Sequence, residues 1–320
     1  MASAVFVRRF APEASLPSPV LVSVDWGTSS FRALLAASDG AVIEAVETDQ
    51  GALGLPAGAH ERFLAGKIGG WLARFPGLPI MISGMAGARQ GWFEAPYVPC
   101  PAGADDIAAK VLALEPSLGR IFIVPGVSAP EAPGGPDVMR GEETQILGAL
   151  AATRRQGGLF VLPGSHSKWV RVEAGRIVGF ATFMTGEVFA ALKDHTVLGR
   201  LMAPGGGPAR SGVGFTRGLA AASKLERPGD LLNAIFKTRT LGLFDALPQD
   251  GLADFLSGLL IGAEILAGVG GETAATIIGS AALSARYRAA GDTLGIKLTP
   301  APENCATLGQ IALLERLEGL

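Results

Sequence analysis

Residues 20–32, Val-Leu-Val-Ser-Val-Asp25-Trp26-Gly27-Thr28-Ser29-Ser30-Phe31-Arg32, set a carboxylate, a glycine, three consecutive hydroxyls and a cation close together. Hydroxyls and backbone N–H groups in a tight turn can hold phosphate oxygens, and a carboxylate at a strand end can hold hydrated Mg²⁺. On that chemistry Gly27, Thr28, Ser29 and Ser30 are phosphate candidates, and Asp25 is a metal and catalytic candidate. An ordinary polar turn explains the same residues about as well. Residues 159–170 repeat the pattern, with Gly164-Ser165-His166-Ser167-Lys168 between two apolar runs. Two such turns, in corresponding places of two similar halves, can face each other across a cleft and clamp a polyphosphate. His166 by itself reads first as a turn histidine bonding locally. A third element, Ile277-Ile278-Gly279-Ser280-Ala281-Ala282, closes an apolar run and opens a helix pattern. Small residues let a flat ring approach the backbone, and a helix N-terminus favours anions. Gly279 and Ser280 therefore suit an adenosine contact, with close helix–strand packing as the plainer reading. There is no Gly-x4-Gly-Lys-[Ser/Thr] loop and no dinucleotide fingerprint after the first strand.

Phosphoryl transfer to an alcohol needs a carboxylate to take the proton and cations to offset charge. The segment Asp137-Val138-Met139-Arg140-Gly141-Glu142-Glu143-Thr144-Gln145 is the densest source of both. Glu142 is the first choice as base, with Glu143 and Asp137 as alternatives, because acidic residues also favour the first turn of any helix. Ser83–Trp92 joins flexible backbone to Arg89, Gln90 and Trp92. Arg89, supported by Arg140, can pair with a carboxylate, and Trp92 can cover an apolar sugar face. The alternative is a structural loop around a buried tryptophan. The clusters 183–187 and 193–196 are further polar candidates for the same cleft.

Apolar periodicity predicts the elements that must position these groups. Strands are expected at 20–25, 31–37, 41–46, 79–83, 121–124, 159–162, 168–172, 176–183 and 275–278. Helices are expected at 59–74, 104–114, 142–154, 186–202, 216–225, 228–243, 251–268, 280–290 and 305–318. Strand–turn–strand units followed by helices, twice over, predict two similar α/β domains. The expected division is a loose tail over 1–18, one domain over 19–154 and another over 155–320, with the last helix packing back on the first. Loops at 125–136 and 203–214 are long enough to be functional or mobile. The chain has 320 residues, 48% of them hydrophobic, and a formal net charge of −2. That charge gives no basic field for nucleic acid or anionic lipid. Phe255–Gly270 is apolar but short and carries Glu264, so a buried helix is expected there and no membrane span. Two cysteines, Cys100 and Cys305, make no metal spacing or disulfide framework, and a cytoplasmic protein is expected.

Taken together, Asp25-Trp26-Gly27-Thr28-Ser29 with Arg32, Gly84-Met85-Ala86-Gly87 with Arg89-Gln90-Gly91-Trp92, and Ala95–Pro101 resemble the sugar kinases of the actin/hexokinase/Hsp70 superfamily. With Met139–Gln145, Leu162–Trp169, Thr185-Gly186-Glu187 and His195–Gly199 added, the chain is similar to the 2-dehydro-3-deoxygalactonokinase family over about residues 20–310. The resemblance implies two RNase-H-like (actin-like ATPase) α/β domains around an interdomain cleft. It implies ATP and Mg²⁺, and transfer of phosphate to the C6 hydroxyl of 2-dehydro-3-deoxy-D-galactonate in galactonate breakdown. The superfamily's first phosphate hairpin falls on Asp25 and Thr28–Ser30, its second on Gly164, Ser165, His166 and Ser167, and its adenosine motif on Gly279 and Ser280. Where related kinases carry Gly-Asp-Gln at the base, this chain has Gly141-Glu142-Glu143. The rival readings are a kinase for an epimeric 2-keto-3-deoxy sugar acid, or a nucleotide- and sugar-binding actin-like protein that transfers nothing. A homodimer is compatible with the sequence, which does not specify the faces that would form it.

Overall fold

The structure is a computed structural model and describes residues 6–9, 18–203, 212–227 and 229–319. In chain order its elements begin with β1 (Phe6–Arg9), β2 (Pro19–Trp26), β3 (Phe31–Ala37), β4 (Val42–Thr48), α1 (His60–Arg74), β5 (Ile80–Gly84), β6 (Tyr97–Pro99), α2 (Ala104–Ala108), β7 (Leu112–Leu114), β8 (Ile121–Ile123), β9 (Gly126–Ala129), β10 (Asp137–Met139) and α3 (Glu142–Thr153). They continue with β11 (Gly158–Leu162), β12 (Ser167–Glu173), β13 (Arg176–Phe183), α4 (Thr185–His195), α5 (Val213–Ala222), α6 (Asp230–Leu243), α7 (Gln249–Gly268), β14 (Ala274–Ile277), α8 (Ala281–Leu294), β15 (Lys297–Pro300) and α9 (Cys305–Glu318). The chain divides into two compact units, one of residues 1–157, 172–179 and 302–320, the other of 158–171 and 180–301.

The first unit is built on a seven-stranded sheet in the order β1-β4-β3-β2-β5-β8-β7, with a small sheet β10-β9-β6 beside it. Alternation along β2 divides its side chains between two faces. Val22, Val24 and Trp26 join the core formed with Leu64, Ile68 and Trp71 of α1. Ser23, on the opposite face, hydrogen-bonds Thr307 of α9 at 2.9 Å. The buried residues of α1, His60, Leu64, Ile68 and Trp71, recur at the helical period, and Glu61 and Arg74 complement its two ends.

A five-stranded sheet runs in the order β13-β12-β11-β14-β15, with β14 parallel to both β11 and β15; β11, β14 and β15 lie wholly in the second unit. Leu159, Val161, Ile277 and Leu298 from its strands pack with Phe215 and Leu219 of α5 and with Ile261 and Ile265 of α7. Helix α7 is long and apolar enough to cross a membrane, yet most of it is buried in this core. Ser280 caps α8, its Oγ accepting from Leu283 N–H at 3.4 Å, and Gly295 ends that helix in the left-handed conformation at φ +76°.

Several expected elements change here. Helix α2 stops at Ala108, and Leu112–Leu114, read from sequence as its continuation, pair antiparallel with β8. Within the expected tail, Phe6–Arg9 form an edge strand on β4, while the rest of 1–17 lies outside the described residues. The loop expected at 125–136 contains β9, and the helix expected over 186–202 ends at His195, where Thr196 turns extended. Of the loop at 203–214, residues 204–211 lie outside the described residues.

Candidate active site

In the first unit, the β2–β3 hairpin sets Asp25 opposite Arg32 and Trp26 opposite Phe31, with Gly27 N–H donating to the Ser30 carbonyl at 2.9 Å. Thr28, Ser29 and Ser30 are exposed at its tip. Gly51 lies against the turn so closely that a Cβ there would stand 1.9 Å from the Thr28 carbonyl oxygen. The next residue, Ala52, donates its N–H to the Gly27 carbonyl at 3.0 Å. The turn is therefore rigid in its backbone and open in its hydroxyls.

Two glycines bring the hairpin to the start of α3. Gly84, paired in parallel with Trp26, has φ +92°, and a Cβ on it would lie 2.7 Å from the Trp26 carbonyl oxygen and 3.5 Å from Asp25 Oδ1. Gly141, at φ +106°, would place a Cβ 3.3 Å from Gly84 Cα. Both conformations disfavour a side chain, and at Gly84 the backbone contact excludes one. Asp25 and the first turn of α3 thus share one corner. Burial and the negative charge of Glu142 push the Asp25 carboxyl up to about 6, against the pull of Arg32.

The glutamates of that turn differ sharply. Glu142 is partly exposed and accepts Arg140 N–H at 3.0 Å. Glu143 is fully buried; both its oxygens accept Gly141 N–H, at 3.0 and 2.7 Å, and one accepts the Thr144 hydroxyl at 2.9 Å. Burial, with Glu142 adding to it, raises the Glu143 carboxyl to about 8. Asp137 uses Oδ1 on the N–H of Val138 at 2.7 Å.

Among the sugar-side candidates, Arg89 and Gln90 are exposed, and Arg89 approaches Glu94 at 3.8 Å. Trp92 is turned into an aromatic cluster, with one face parallel to His60 at 6.1 Å and its edge toward Trp26 at 6.3 Å. The broad platform expected from sequence is reduced to what that packing leaves uncovered. Arg140 is buried, lies over the Tyr97 ring at 4.3 Å and donates from Nη2 to the Ala95 carbonyl at 2.8 Å. Its Nε and Nη1 are buried without a hydrogen-bond partner. Tyr97, Gly84 and Gly141 were not singled out as contributors from sequence. The positive φ of both glycines follows from a strand end and a helix start with no room for Cβ, which only the three-dimensional contact reveals.

In the second unit, residues 163–166 join β11 to β12. Ser165 and His166 are exposed, and the His166 ring pairs with Glu187 at the start of α4. Ser167 departs from its expected role as a phosphate ligand: it is fully buried, and its Oγ lies 3.2 Å from Tyr287 Oη and accepts Gly164 N–H at 3.3 Å. Lys168, the cation just past these hydroxyls, is buried in β12. Gly279 stands next to this turn, since a Cβ on it would be 3.5 Å from Pro163 Cδ. The second hairpin and the expected adenosine motif are therefore neighbours within one unit.

Two α/β units, each carrying a glycine- and hydroxyl-bearing turn between neighbouring strands, suit a phosphate-handling protein. The chain belongs to the 2-keto-3-deoxy-galactonokinase family, whose model matches residues 25–313. It is 39% identical over 280 residues to a Rhizobium meliloti (strain 1021) protein bearing the name 2-dehydro-3-deoxygalactonokinase, covering 86% of this chain and 90% of that one. It is 33% identical over 282 residues to the Escherichia coli (strain K12) 2-dehydro-3-deoxygalactonokinase, covering 87% and 91% respectively. A crystal structure from Sinorhizobium meliloti assigned to the same kinase superposes with a TM-score of 0.81 at 35% identity, covering 94% of this chain and 96% of that chain.

Proposed function

We propose that this chain transfers the terminal phosphate of ATP to the C6 hydroxyl of 2-dehydro-3-deoxy-D-galactonate, with Glu142 as the general base. The observation that supports Glu142 is the contrast within α3: its carboxylate is held at the helix start yet reachable, whereas that of Glu143 is sealed and spent on Gly141 N–H. Glu142 takes the hydroxyl proton while the sugar oxygen bonds to the terminal phosphorus. The bond from that phosphorus to its bridging oxygen breaks, and ADP leaves with the electron pair. In the first unit Gly27–Ser30 are the phosphate ligands; in the second they are Ser165 and His166, without Gly164, whose N–H is taken by Ser167, and Gly279 and Ser280 contact the adenosine. Arg89 orients the sugar-acid carboxylate, with Gln90 and the uncovered edge of Trp92 beside it. Arg140 fixes the loop beneath through the Ala95 carbonyl and Tyr97.

Asp25 fits a divalent cation, because its carboxyl shares a poorly solvated corner with the negative charge of Glu142. Among the described residues no three His, Cys, Asp or Glu side chains form a metal cage. That suits Mg²⁺ carried on nucleotide phosphates and touched by one carboxylate. When bound, the ion offsets charge on the transferring phosphate.

A coupled ADP-release assay over a panel of 2-keto-3-deoxy sugar acids tests the reading and identifies the epimer. Glu142→Gln is expected to lower kcat by about 10²–10⁴-fold with little change in the KM for ATP. Arg89→Ala should raise the KM for the sugar acid far more than that for ATP. Wild-type turnover in Glu142→Gln would move the base to Asp137, and equal KM effects in Arg89→Ala would remove the carboxylate contact.

A further inference from the structure

Glu264 is a carboxylate in the middle of the most apolar helix of the chain, and it is 2% exposed. Sequence reading used it only as an argument against a membrane span. In the structure it joins three elements that frame the turn at 163–166. Its Oε1 accepts the Trp169 indole N–H from β12 at 2.9 Å, and its Oε2 accepts the Tyr287 hydroxyl from α8 at 2.6 Å. The hydroxyl of Thr185, first residue of α4, bonds to it as well. Helix α4 then meets the turn directly. Glu187 N–H donates to the Ser165 carbonyl at 3.1 Å, and a Cβ on Gly186 would lie 2.6 Å from the Gly164 carbonyl oxygen.

Proton counting gives this network a direction. A tyrosine has one hydroxyl proton, and Tyr287 gives it to Glu264. Toward Ser167, 3.2 Å away, the tyrosine oxygen can then only accept, and Glu264 accepts from Ser167 as well, so the Ser167 proton serves this buried pair. Ser167 Oγ in turn accepts Gly164 N–H at 3.3 Å. The network runs from Gly164 N–H through Ser167 to Tyr287 and Glu264. It removes the Gly164 and Ser167 donors from service to a ligand and leaves Ser165 and His166 presented at the tip.

We propose that Glu264 and Tyr287 are positioning residues for nucleotide phosphate: they lock the turn at 163–166 through Ser167, which is itself a strut and not a phosphate ligand. This rests on the reading of that turn as a phosphate loop. A purely structural carboxyl would weaken folding and both substrates alike, whereas a positioning pair acts on the nucleotide alone.

The test is steady-state kinetics on the full chain for Tyr287→Phe, Glu264→Gln and Ser167→Ala, with Ser165→Ala as the arm that probes the turn. Tyr287→Phe and Glu264→Gln should each raise the KM for ATP by about three- to tenfold, the worth of one hydrogen bond. The KM for the sugar acid should stay within about twofold and the circular dichroism should be unchanged. Ser167→Ala should raise the KM for ATP in the same way, since it breaks the link between the turn and this pair. Tyr287→Phe deletes a single oxygen, and it decides the question alone if Glu264→Gln does not fold. If Ser165→Ala raises the KM for ATP while Tyr287→Phe leaves it unchanged, or raises both KM values equally, the positioning role is overturned. An unchanged KM for ATP in Ser165→Ala instead removes the phosphate-loop reading, and this inference with it.

Discussion

Glu142 and Glu143 are adjacent in sequence, identical in chemistry and far apart in environment. The side chain of Glu143 has no contact with water, and its proton is held up to about pH 8 against an ordinary value of 4.5. Between those values the folded chain binds a proton that the unfolded chain has released, so this group's contribution to stability falls as pH rises. It is complete below about pH 4.5 and gone once the pH passes about 8. Glu143→Gln keeps the shape and removes the titration. Thermal melts at pH 5 and pH 8 should show a smaller loss of Tm in the variant than in the wild type. Some slope remains, since burial also raises Asp25 and Glu264. An unchanged slope would mean that Glu143 is ionised in the folded chain. The same division of labour accounts for Ser167: sequence places it in a Gly-Ser turn, whereas it opens β12, and only its buried partners show that its hydroxyl is already used.

Helix α3 delivers Glu142 and is positioned by its crossing with α9, where glycines replace side chains. A Cβ on Gly148 would stand 1.8 Å from the Cys305 carbonyl oxygen, and one on Gly309 would stand 1.9 Å from that of Thr144. Neither backbone atom can swing aside as a side chain can. Gly148→Ala and Gly309→Ala are each expected to destabilise by about 3 kcal/mol, lowering Tm by roughly 6–12 °C. Gly66 of α1 is exposed with nothing near its Cβ position, so Gly66→Ala should gain stability by about 0.5–1 kcal/mol. Thermal melts of the three variants separate close packing from helix propensity by sign. At this scale the long elements were legible: the β-branched run ending at Asp25 is β2, and the Ala/Leu pattern after Gly141 is α3. Leu112–Leu114 were misread because an Ala/Leu sequence suits a helix and only the presence of β8 alongside makes them a strand. Arg140 was legible as a charge near Glu142, but not its burial over Tyr97 or its two unpartnered nitrogens.

At the scale of the molecule, the first unit is not continuous in sequence: its final helix comes from residues beyond Ala301. Buried Ile311, Leu313 and Leu314 of α9 are worth about 1.5–3 kcal/mol each, a total comparable with the whole stability of a typical domain. Gln310 adds specific ties, donating to the Val24 carbonyl and to Ser83 Oγ, both at 3.0 Å, one residue before Asp25 and Gly84 respectively. The surface pairs Arg120–Glu318 and Arg316–Asp105 contribute far less, since exposed ion pairs are worth about 0–1 kcal/mol. A chain ending at Ala301 therefore lacks the element that backs β2 and β5 and seats α3. It should lose kinase activity entirely and show no cooperative melting of the first unit, with low soluble yield. Replacing only Arg316 and Glu318 by alanine should leave activity and Tm nearly unchanged, which isolates the buried face of α9 as the cause. Sugar-acid turnover at the wild-type rate by the shortened chain would show that the corner holding Asp25 and Glu142 is set by the sheet without α9.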